Sequence, residues 1–300
     1  MHSVHLLDKF KGSLLGTALG DAVGELAFVC RSKKRLLEVL GQVELLRYTD
    51  DTAMALALTE SLIENRGLER EALGKRFHQA YLEEPWRGYG PGPPRIFALV
   101  EKTGQGYCEA AQKLYRGEGS FGNGAAMRIA PIGLLYHDDE ALYEKAALSA
   151  SVTHAHPVGQ DGAAILAEAI AWMIRQKADE KLKIHRLLEH LILSARTAEI
   201  REKMNLLRSL LEEEADEEAA ARLLGKSVAV QESMPFALYA FLRHPDSFKD
   251  CLFTAVLHGG DRDTLGAMAG AAAGAYLGAR ALPTDWLSCL EDRHKIEEKS

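Results

Sequence analysis

The sequence predicts an all-α fold, and three observations indicate it. Apolar residues recur mostly with helical spacing, and we find no convincing run in which apolar and polar residues alternate as in a strand. No Pro/Ser-rich linker divides the chain, so we expect a single compact multi-helix domain over residues 1–300. Apolar residues make up 47% of the composition, which is enough to bury a substantial core.

Twelve segments carry the helical pattern, and the first and last of them share a second feature. The segments are 6–24, 51–65, 70–83, 108–117, 139–154, 157–176, 185–195, 199–214, 216–225, 232–244, 247–259 and 263–281. Glycines recur every fourth residue in the first segment (Gly12 to Gly24) and in the last (Gly266 to Gly278). Such small faces let two helices cross closely. We therefore expect the end of the first helix to lie near the start of the last.

Composition excludes several classes of protein. The net charge of -7 argues against a general nucleic-acid or membrane-surface binder, although a local basic groove stays open. The four cysteines form no CxxC pair, so zinc-ligand spacing is absent and a reducing compartment is expected. The N-terminus lacks the pattern of a secretory signal, and the sequence suggests no membrane-spanning run. We expect a cytoplasmic protein.

Two acidic clusters stand at predicted helix starts. The early one, YTDDTAM, contains Thr49, Asp50 and Asp51, and the late one, HGGDRDT, contains Asp261, Asp263 and Thr264. One alternative is that these are two independent capped helices, with Thr49 or Asp50 as an N-cap. The other is that both starts face one another across a divalent cation, because Mg²⁺ prefers oxygen ligands and would relieve the repulsion of four aspartates.

Two glycine-rich segments, 87–94 and 117–128, lie between the acidic clusters and are too flexible for helix interiors. Neither matches a P-loop or the dinucleotide fingerprint. They are either plain loops or loops whose backbone N–H groups approach a phosphate-bearing ligand.

Several of these motifs occur in an order that resembles the ADP-ribosylglycohydrolase family, from about Lys9 to Ala281. The stretches are YTDDTAMAL, RGYGPG, GSFGNGAAMRIAPIGL, LSASVTHAHP, ESMPFALYAFL and HGGDRDTLGAMAGAAAGAYLG. The glycine segments and the THA motif are most similar to the ADP-ribosyl-serine hydrolase branch. The resemblance implies an all-α fold with a binuclear Mg²⁺ centre at the bottom of an ADP-ribose cleft, with Mn²⁺ as an alternative metal. It implies metal ligands at Thr49, Asp50, Asp51, Asp261, Asp263 and Thr264.

The resemblance also implies the substrate-binding positions. These are Gly88, Gly90, Gly92, Ser120, Phe121, Gly122, Asn123, Gly124, Met127 and His154. Phe121 stands where an aromatic ring stacks on adenine in the serine-specific branch. For His154 the alternative is a hydrogen-bonded histidine at a helix end. A zinc pair of His154 and His156 is rejected, because an i, i+2 spacing points the two side chains apart on a helix.

Two positions depart from the family pattern. Phe28 stands where the family usually has a glutamate that reaches the cleft. Glu25 lies about one turn earlier and either takes over that position or is a helix-end residue exposed to solvent. Arg262 replaces a small polar residue, and we expect it to point outwards, away from the metals.

These features predict a Mg²⁺-dependent hydrolase that removes ADP-ribose from O-linked, serine-type ADP-ribosylated proteins, with poly(ADP-ribose) and O-acetyl-ADP-ribose as open substrates. The predicted catalytic residues are Asp50 or Asp51, with Glu25 as a weaker candidate for the same task. The alternatives are an ADP-ribosylarginine hydrolase and an ADP-ribose-binding or structural member of the family without turnover. No membrane and no direct nucleic-acid partner is expected.

Overall fold

The computed structural model describes residues 2–177 and 180–300, and α-helices form nearly all the regular structure of these residues. The helices are α1 His2–Val29, α2 Lys33–Leu40, α3 Asp50–Glu64, α4 Arg70–Glu83, α5 Gly92–Thr103, α6 Tyr107–Gln112, α7 Ala130–Leu135, α8 Leu142–Ser151, α9 Pro157–Arg175, α10 Ile184–Ser194, α11 Ala198–Glu212, α12 Glu217–Leu224, α13 Val230–Arg243, α14 Phe248–Leu257, α15 Arg262–Leu277, α16 Thr284–Cys289 and α17 Arg293–Lys299. Strand pairing in the described residues is limited to two isolated bridges, Leu46 with Leu290 and Gly122 with Ala229. The predicted all-α single domain is confirmed.

Each of the twelve predicted segments contains a helix, but the prediction was incomplete. Segment 108–117 is α-helical only to Gln112, and Tyr115 and Arg116, with φ of 50° and 64°, could not continue the helix. Five helices were missed: α2, α5, α7, α16 and α17. Four of them have eight residues or fewer, whereas α5 has 12 and begins at Gly92 inside a segment that we had assigned entirely to a loop. Prolines in its first turn explain the start, since proline is favoured where a helix N–H has no partner.

Helices α1 and α15 pack antiparallel along their glycines. Gly12 faces Gly274, Gly16 faces Gly270 and Gly20 faces Gly266, in a register in which each step of four on α1 matches a step of four on α15. A Cβ atom on Gly20 would lie 1.9 Å from the carbonyl oxygen of Gly266, so only glycine allows this approach. The expected proximity of the end of α1 to the start of α15 is confirmed, because Gly24 lies against Arg262 and Asp263.

The length of α1 corrects one expectation. Residues 5–29 form a helix long and apolar enough to cross a membrane by length and composition, which the sequence analysis had excluded. However, 78% of its most apolar window is buried inside the fold, as for a core helix. The apolar character of α1 is accounted for by its packing against α15.

Candidate active site

The start of α3 is held by Asp21, a residue of α1. The Asp21 carboxylate accepts hydrogen bonds from the backbone N–H and hydroxyl of Thr49 (3.0 and 2.8 Å) and from those of Thr52 (3.0 and 2.6 Å). Thr49 occupies the N-cap position, but its own side chain makes no capping hydrogen bond. The alternative in which Thr49 or Asp50 caps α3 is therefore wrong, since Asp21 satisfies the free N–H groups from another helix. Asp50 and Asp51 are left free for another task.

The two acidic clusters come together, as the metal hypothesis requires. Burial raises the pKa of Asp50 to about 8, and the nearby charges of Asp21, Asp263 and Asp261 add to the effect. Burial likewise raises the pKa of Asp263 to about 7, with Asp261 and Asp21 contributing. The pKa of Asp51 is raised well above its ordinary value by burial and by the same neighbours. The starts of α3 and α15 thus form one acidic site, the acid cluster, made of Asp50, Asp51, Asp261 and Asp263.

The oxygen atoms of the acid cluster fit a hard divalent cation. Asp51 is only 1% exposed, and its Oδ1 atom has no hydrogen-bond partner among the described residues. The Thr49 hydroxyl lies 2.8 Å from an Asp21 oxygen and 3.1 Å from Asp51 Oδ2, yet it has one proton to donate. A buried oxygen without a donor is costly unless a cation or a proton lies beside it.

The carboxylates of the acid cluster nevertheless need further ligands to hold a metal ion. In residues 2–177 and 180–300 no three His, Cys, Asp or Glu side chains converge as a metal site. Mg²⁺ tolerates this, because it keeps several waters and typically uses one or two carboxylates. The hydroxyls of Thr49 and Thr264 beside the four carboxylates would supply oxygen ligands of the right kind. A softer metal such as Zn²⁺, which binds sulfur and nitrogen, is a poor match to these atoms.

A glycine turn and an amide position the late cluster. Gly259 and Gly260 have φ of 93° and 77°, and a Cβ on Gly260 would lie 2.0 Å from the Lys226 carbonyl oxygen. The Asp261 N–H donates to that oxygen at 2.9 Å. The Asn123 side-chain amide donates to Asp261 Oδ2 at 2.7 Å, so the glycine-rich segment 117–128 contacts the acid cluster directly.

The expectation for Arg262 was wrong in one respect. Its side chain does avoid the acid cluster, but it is 9% exposed and donates to the carbonyl oxygen of Val256 near the end of α14. Burial and the nearby Arg31 lower its pKa. Arg262 therefore satisfies a carbonyl at a helix C-terminus and is not free to meet a substrate.

A cavity of about 260 Å³ lies beside the acid cluster, and the two glycine-rich segments form its other walls. Most of the predicted residues line it: Asp50, Gly88, Gly90, Gly92, Ser120, Gly122, Asn123, Gly124, Met127, His154, Asp261, Asp263 and Thr264. Gly88 has a φ of 90° and lies near Asp50, where a Cβ would be 3.9 Å from the Asp50 carboxylate. The loop at Gly88 therefore approaches Asp50 with its backbone, whereas the other loop contacts Asp261 through the Asn123 side chain.

Four predicted residues are outside the cavity wall. Asp51 is buried at the start of α3, next to the half-buried Thr49, whose backbone and hydroxyl bond to Asp21. Phe121 is 46% exposed, and its ring meets the edge of His156 at 5.5 Å between centroids. Glu25 is exposed on α1, close enough to Asp263 for its charge to raise the pKa of that carboxyl.

The imidazole of His154 is buried against the glycine loop. Burial and the charge of Arg128 lower its pKa to about 3, so the ring is neutral at physiological pH. A Cβ on Gly124 would lie 3.2 Å from His154 Nε2, so a side chain there would crowd the ring. His156 is separate from it: its Nδ1 accepts from the Val158 N–H and caps α9. Both histidines lie between α8 and α9 and not on a helix, so the helical spacing argument against a zinc pair does not apply to them.

Comparisons with known proteins decide the family. A family model described as ADP-ribosylglycohydrolase matches residues 2–299. The chain belongs to the ADP-ribosylglycohydrolase family. It is 34% identical to the ADP-ribosylhydrolase ARH3 of Homo sapiens, over 95% of this chain and 90% of that protein. It is 30% identical to the ADP-ribosyl-[dinitrogen reductase] glycohydrolase of Rhodospirillum rubrum, over 96% and 92% of the two chains.

A solved structure agrees with the sequence comparisons. A chain described as an ADP-ribosylglycohydrolase-related protein complex superposes with a TM-score of 0.73 at 26% identity, covering 98% of this chain and 96% of that one. This ADP-ribosylglycohydrolase is therefore a glycohydrolase enzyme that acts on ADP-ribosyl bonds, and its fold is that of its family.

Sequence reasoning missed several residues of this ADP-ribosylglycohydrolase site. Asp21 carried a usable signal, because an aspartate in an apolar helix is rarely fully buried without partners. Arg128 and Thr153 carried weaker signals; both line the cavity and each is 1% exposed. Val228 also lines the cavity, and its carbonyl accepts from the Asn123 N–H at 2.8 Å, a contact between distant segments that no local pattern indicates.

Proposed function

We propose that this ADP-ribosylglycohydrolase is a Mg²⁺-dependent hydrolase that removes ADP-ribose from O-linked, serine-type ADP-ribosylated proteins. One observation carries the proposal: the acid cluster and the two glycine-rich segments line the same cavity. An acidic site alone would bind only a cation, and glycine loops alone would indicate only a ligand. Because they meet, oxygen atoms suited to a cation lie beside loops suited to phosphates and riboses.

The serine-type linkage is supported by similarity. The glycine segments and the THA motif resemble the serine-specific branch of the family, and the ADP-ribosylhydrolase ARH3 of Bos taurus is 34% identical to this chain. The Rhodospirillum rubrum relative, named for dinitrogen reductase, is similar at 30%. The test therefore includes the serine linkage and the arginine linkage, and it includes the alternative that the protein binds ADP-ribose without turnover.

The cofactor we propose is a pair of Mg²⁺ ions, with Mn²⁺ as an alternative, held by Thr49, Asp50, Asp51, Asp261, Asp263 and Thr264. When bound, such ions polarise oxygen atoms and orient ribose hydroxyls and a nucleophilic water. Two adjacent acids at one helix start would allow α3 to serve both ions. Binding of two ions would explain why Asp50 and Asp51 are adjacent, whereas helix capping does not.

Protein groups supply the rest of the mechanism. Cleavage of the glycosidic bond passes through an oxocarbenium-like transition state, which negative charge near the anomeric carbon stabilises. Asp50 faces the cavity whereas Asp51 is closed off behind it, so Asp50 is the carboxylate that would take a proton from the attacking water. Asn123 would hold Asp261 in place through its 2.7 Å hydrogen bond.

The glycine-rich segments would bind the ADP-ribosyl group. Gly88, Gly90 and Gly92 of one segment line the cavity, as do Ser120, Gly122, Asn123 and Gly124 of the other. Backbone N–H groups bind phosphate oxygens at close range where no side chain intervenes. Phe121 is exposed beside this wall, in a position to cover a base that extends from the cavity.

A release assay on serine-linked and arginine-linked ADP-ribosyl peptides tests the proposal, each with Mg²⁺ and with EDTA. We expect release from the serine-linked peptide in Mg²⁺ only. Release from the arginine-linked peptide alone would contradict the proposed serine-type linkage. Release that persists in EDTA would contradict the proposed metal dependence. ADP-ribose binding without release from either peptide would favour the non-catalytic alternative.

Matched aspartate variants connect the assay to the site. Asp263→Ala should abolish release and remove the thermal stabilisation by Mg²⁺, because a ligand that binds only the native state stabilises it by mass action. Asp285→Ala is the control, since Asp285 is exposed and its one ion pair within residues 2–177 and 180–300 is with Lys249 at 3.5 Å. ADP-ribose should raise the melting temperature more than AMP or ribose 5-phosphate does.

We also propose a cytoplasmic location. The cysteines at 30, 108, 251 and 289 are all free, as expected in a reducing compartment. Fractionation of cells expressing the tagged protein tests it, and recovery in a membrane fraction would contradict it.

A further inference from the structure

In the cavity wall, a guanidinium, a hydroxyl and an imidazole form a hydrogen-bonded row. Arg128 Nη2 donates to Thr153 Oγ1 at 2.6 Å, and Thr153 Oγ1 lies 2.7 Å from His154 Nδ1. Arg128 and Thr153 are each 1% exposed and His154 is 6% exposed. The row is therefore shielded from water, and the positions of its protons are set by the protein.

Counting protons fixes the direction of each bond. A guanidinium only donates, so Thr153 Oγ1 must accept from Arg128. The threonine hydroxyl then has one proton to donate, and His154 Nδ1 is the one acceptor within hydrogen-bonding distance among the described residues. A buried hydroxyl that donates to nothing is costly. Nδ1 of His154 is therefore the unprotonated nitrogen of the ring.

The proton of the neutral ring consequently lies on Nε2. This atom faces the glycine loop: Cβ atoms built on Gly122 and Gly124 would lie 3.6 and 3.2 Å from it. No described residue accepts a hydrogen bond from Nε2, and His154 lines the cavity. An N–H group thus points into the space that the two glycines leave open.

Two further contacts hold the Arg128 side chain in the position from which it donates to Thr153. Its Nη1 donates to the Gly124 carbonyl oxygen at 3.0 Å, and its guanidinium stacks over Phe77 at 4.3 Å from the ring centroid. The same side chain therefore fixes both the glycine loop and the hydroxyl that meets His154. No carboxylate neutralises it by direct contact among the described residues, so its nearby charge also opposes protonation of His154.

We infer that Arg128 and Thr153 are positioning residues that hold His154 in its neutral Nε2–H form, as a fixed hydrogen-bond donor to an oxygen of the bound ADP-ribosyl group. The ligand part of this inference rests on the proposed function, whereas the tautomer does not. A fixed donor favours a ligand oxygen that only accepts, and it disfavours a ligand that presents an N–H group there. Neither Arg128 nor Thr153 needs to touch the substrate.

Imidazole ¹⁵N spectroscopy of the ligand-free protein tests the tautomer. We expect His154 to show an unprotonated Nδ1 and a protonated Nε2, unchanged between pH 5.5 and 8. The His154→Gln variant identifies the signals. A protonated Nδ1 in the wild type overturns the inference, whatever the protein binds.

Threonine variants test the positioning role. Thr153→Val removes the hydroxyl, so the Nε2–H signature should be lost or mixed and ADP-ribose affinity should fall roughly 3- to 10-fold, the effect of one hydrogen bond. Thr153→Ser keeps a hydroxyl and should restore both. Thr59→Val is the matched control, because that buried hydroxyl bonds only to the Ala55 carbonyl oxygen within its own helix.

The outcomes separate the two proposals. If Thr153→Val keeps both the wild-type spectrum and the wild-type affinity, the positioning role is overturned. If Thr153→Val does not fold, the wild-type spectrum and the comparison with Thr153→Ser still decide. If no variant and no wild type binds ADP-ribose, the proposed function fails, while the spectrum continues to report the tautomer.

Discussion

Gly20 and Gly266 face each other so closely that a Cβ on Gly20 would lie 1.9 Å from the Gly266 carbonyl oxygen. The residue after Gly20 is Asp21, which anchors α3, and Gly266 is three residues after Asp263. The glycine contact therefore fixes the distance between the two halves of the acid cluster. A membrane-like glycine pattern is used here to bring two acidic helix ends into one site.

Substituting Gly266 with alanine should destabilise the fold severely. A new Cβ would lie 2.1 Å from the Gly20 carbonyl oxygen, so the helices must separate. Overpacking typically costs about 1–3 kcal/mol, and backbone against backbone should reach the upper end or beyond. We expect the melting temperature to fall by about 6–12 °C. Gly41→Ala is the control, because its nearest neighbour would be 3.4 Å away and its φ of -76° suits alanine. A variant as stable as the control would contradict the close contact.

Asp21→Asn should weaken metal binding, although Asp21 is not itself a proposed ligand. Four donors converge on the Asp21 carboxylate, and an asparagine amide would place its own N–H₂ against some of them. Outer partners of metal ligands typically change affinity 10- to 100-fold, and we expect roughly that loss for Mg²⁺. Titration calorimetry with Mg²⁺ measures it.

Asp161→Asn is the matched control for Asp21. Asp161 is also 1% exposed and also accepts from a threonine N–H and hydroxyl, those of Thr197, but it lines no part of the cavity. Both variants should lose stability, and only Asp21→Asn should lose Mg²⁺ affinity. An equal effect of the two on affinity would mean that Asp21 acts through general stability alone.

The metal-free protein should lose stability as the pH rises. The pKa values of Asp50 and Asp263 are raised to about 8 and about 7, above the ordinary 3.8. Between the ordinary pKa and the raised values, the folded state therefore holds more protons than the unfolded state. The contribution of these two carboxyl groups to the free energy of unfolding is fully present below about pH 4 and is lost as the pH rises through 7 to 8. In EDTA the melting temperature should be lower at pH 8.5 than at pH 5.5.

Mg²⁺ should reduce this pH dependence, because the cation takes the place of the protons. Asp263→Asn should also flatten it in EDTA, since asparagine does not ionise. Melting curves of the wild type and of Asp263→Asn, each in EDTA and in Mg²⁺, give the change in melting temperature between pH 5.5 and pH 8.5 in all four cases. A wild-type melting temperature in EDTA that is constant or higher at pH 8.5 would contradict the raised pKa values.

The sequence predicted those parts of the fold that depend on local patterns. The apolar spacing of α3, α4 and α9 is repeated over several turns, so the helices were found to within a few residues. Helix α5 was not, because its first residues, Gly92 and two prolines, are typical of loops. Short helices such as α7 have too few turns for a period to be recognised.

The site shows the same limit. Asp50 and Asp263 are conspicuous in the sequence because each stands with a second acid at a helix start. Asp21 acts on residues 28 and 31 positions away, and its role follows only from the packing of α1 against the start of α3. Thr153 acts through a proton shared with its neighbour His154, and the direction of that bond depends on Arg128, 25 residues earlier.

Glu25 and Phe28 provide the last test, because the sequence resemblance leads us to expect a glutamate where this chain has Phe28. Both side chains are exposed on α1, Phe28 by 39%, and neither lines the cavity. Asp50 does face the cavity, so water activation is expected to depend on the acid cluster. Glu25→Ala should therefore reduce release of ADP-ribose by less than about tenfold, and Phe28→Glu should change it modestly.

A larger loss in Glu25→Ala would assign Glu25 the role of the missing glutamate. Loss of a general acid–base group typically costs about 10²–10⁴-fold in turnover, with ligand affinity little changed. ADP-ribose affinity, measured in the same variants, separates this case from a loss of binding. A third result would contradict the conclusion that this chain is an active hydrolase. In that result the wild type releases no ADP-ribose from either linkage, whereas the Phe28→Glu variant does. In that case the phenylalanine would mark a protein that binds ADP-ribose without turnover, so wild type and both variants belong in one assay.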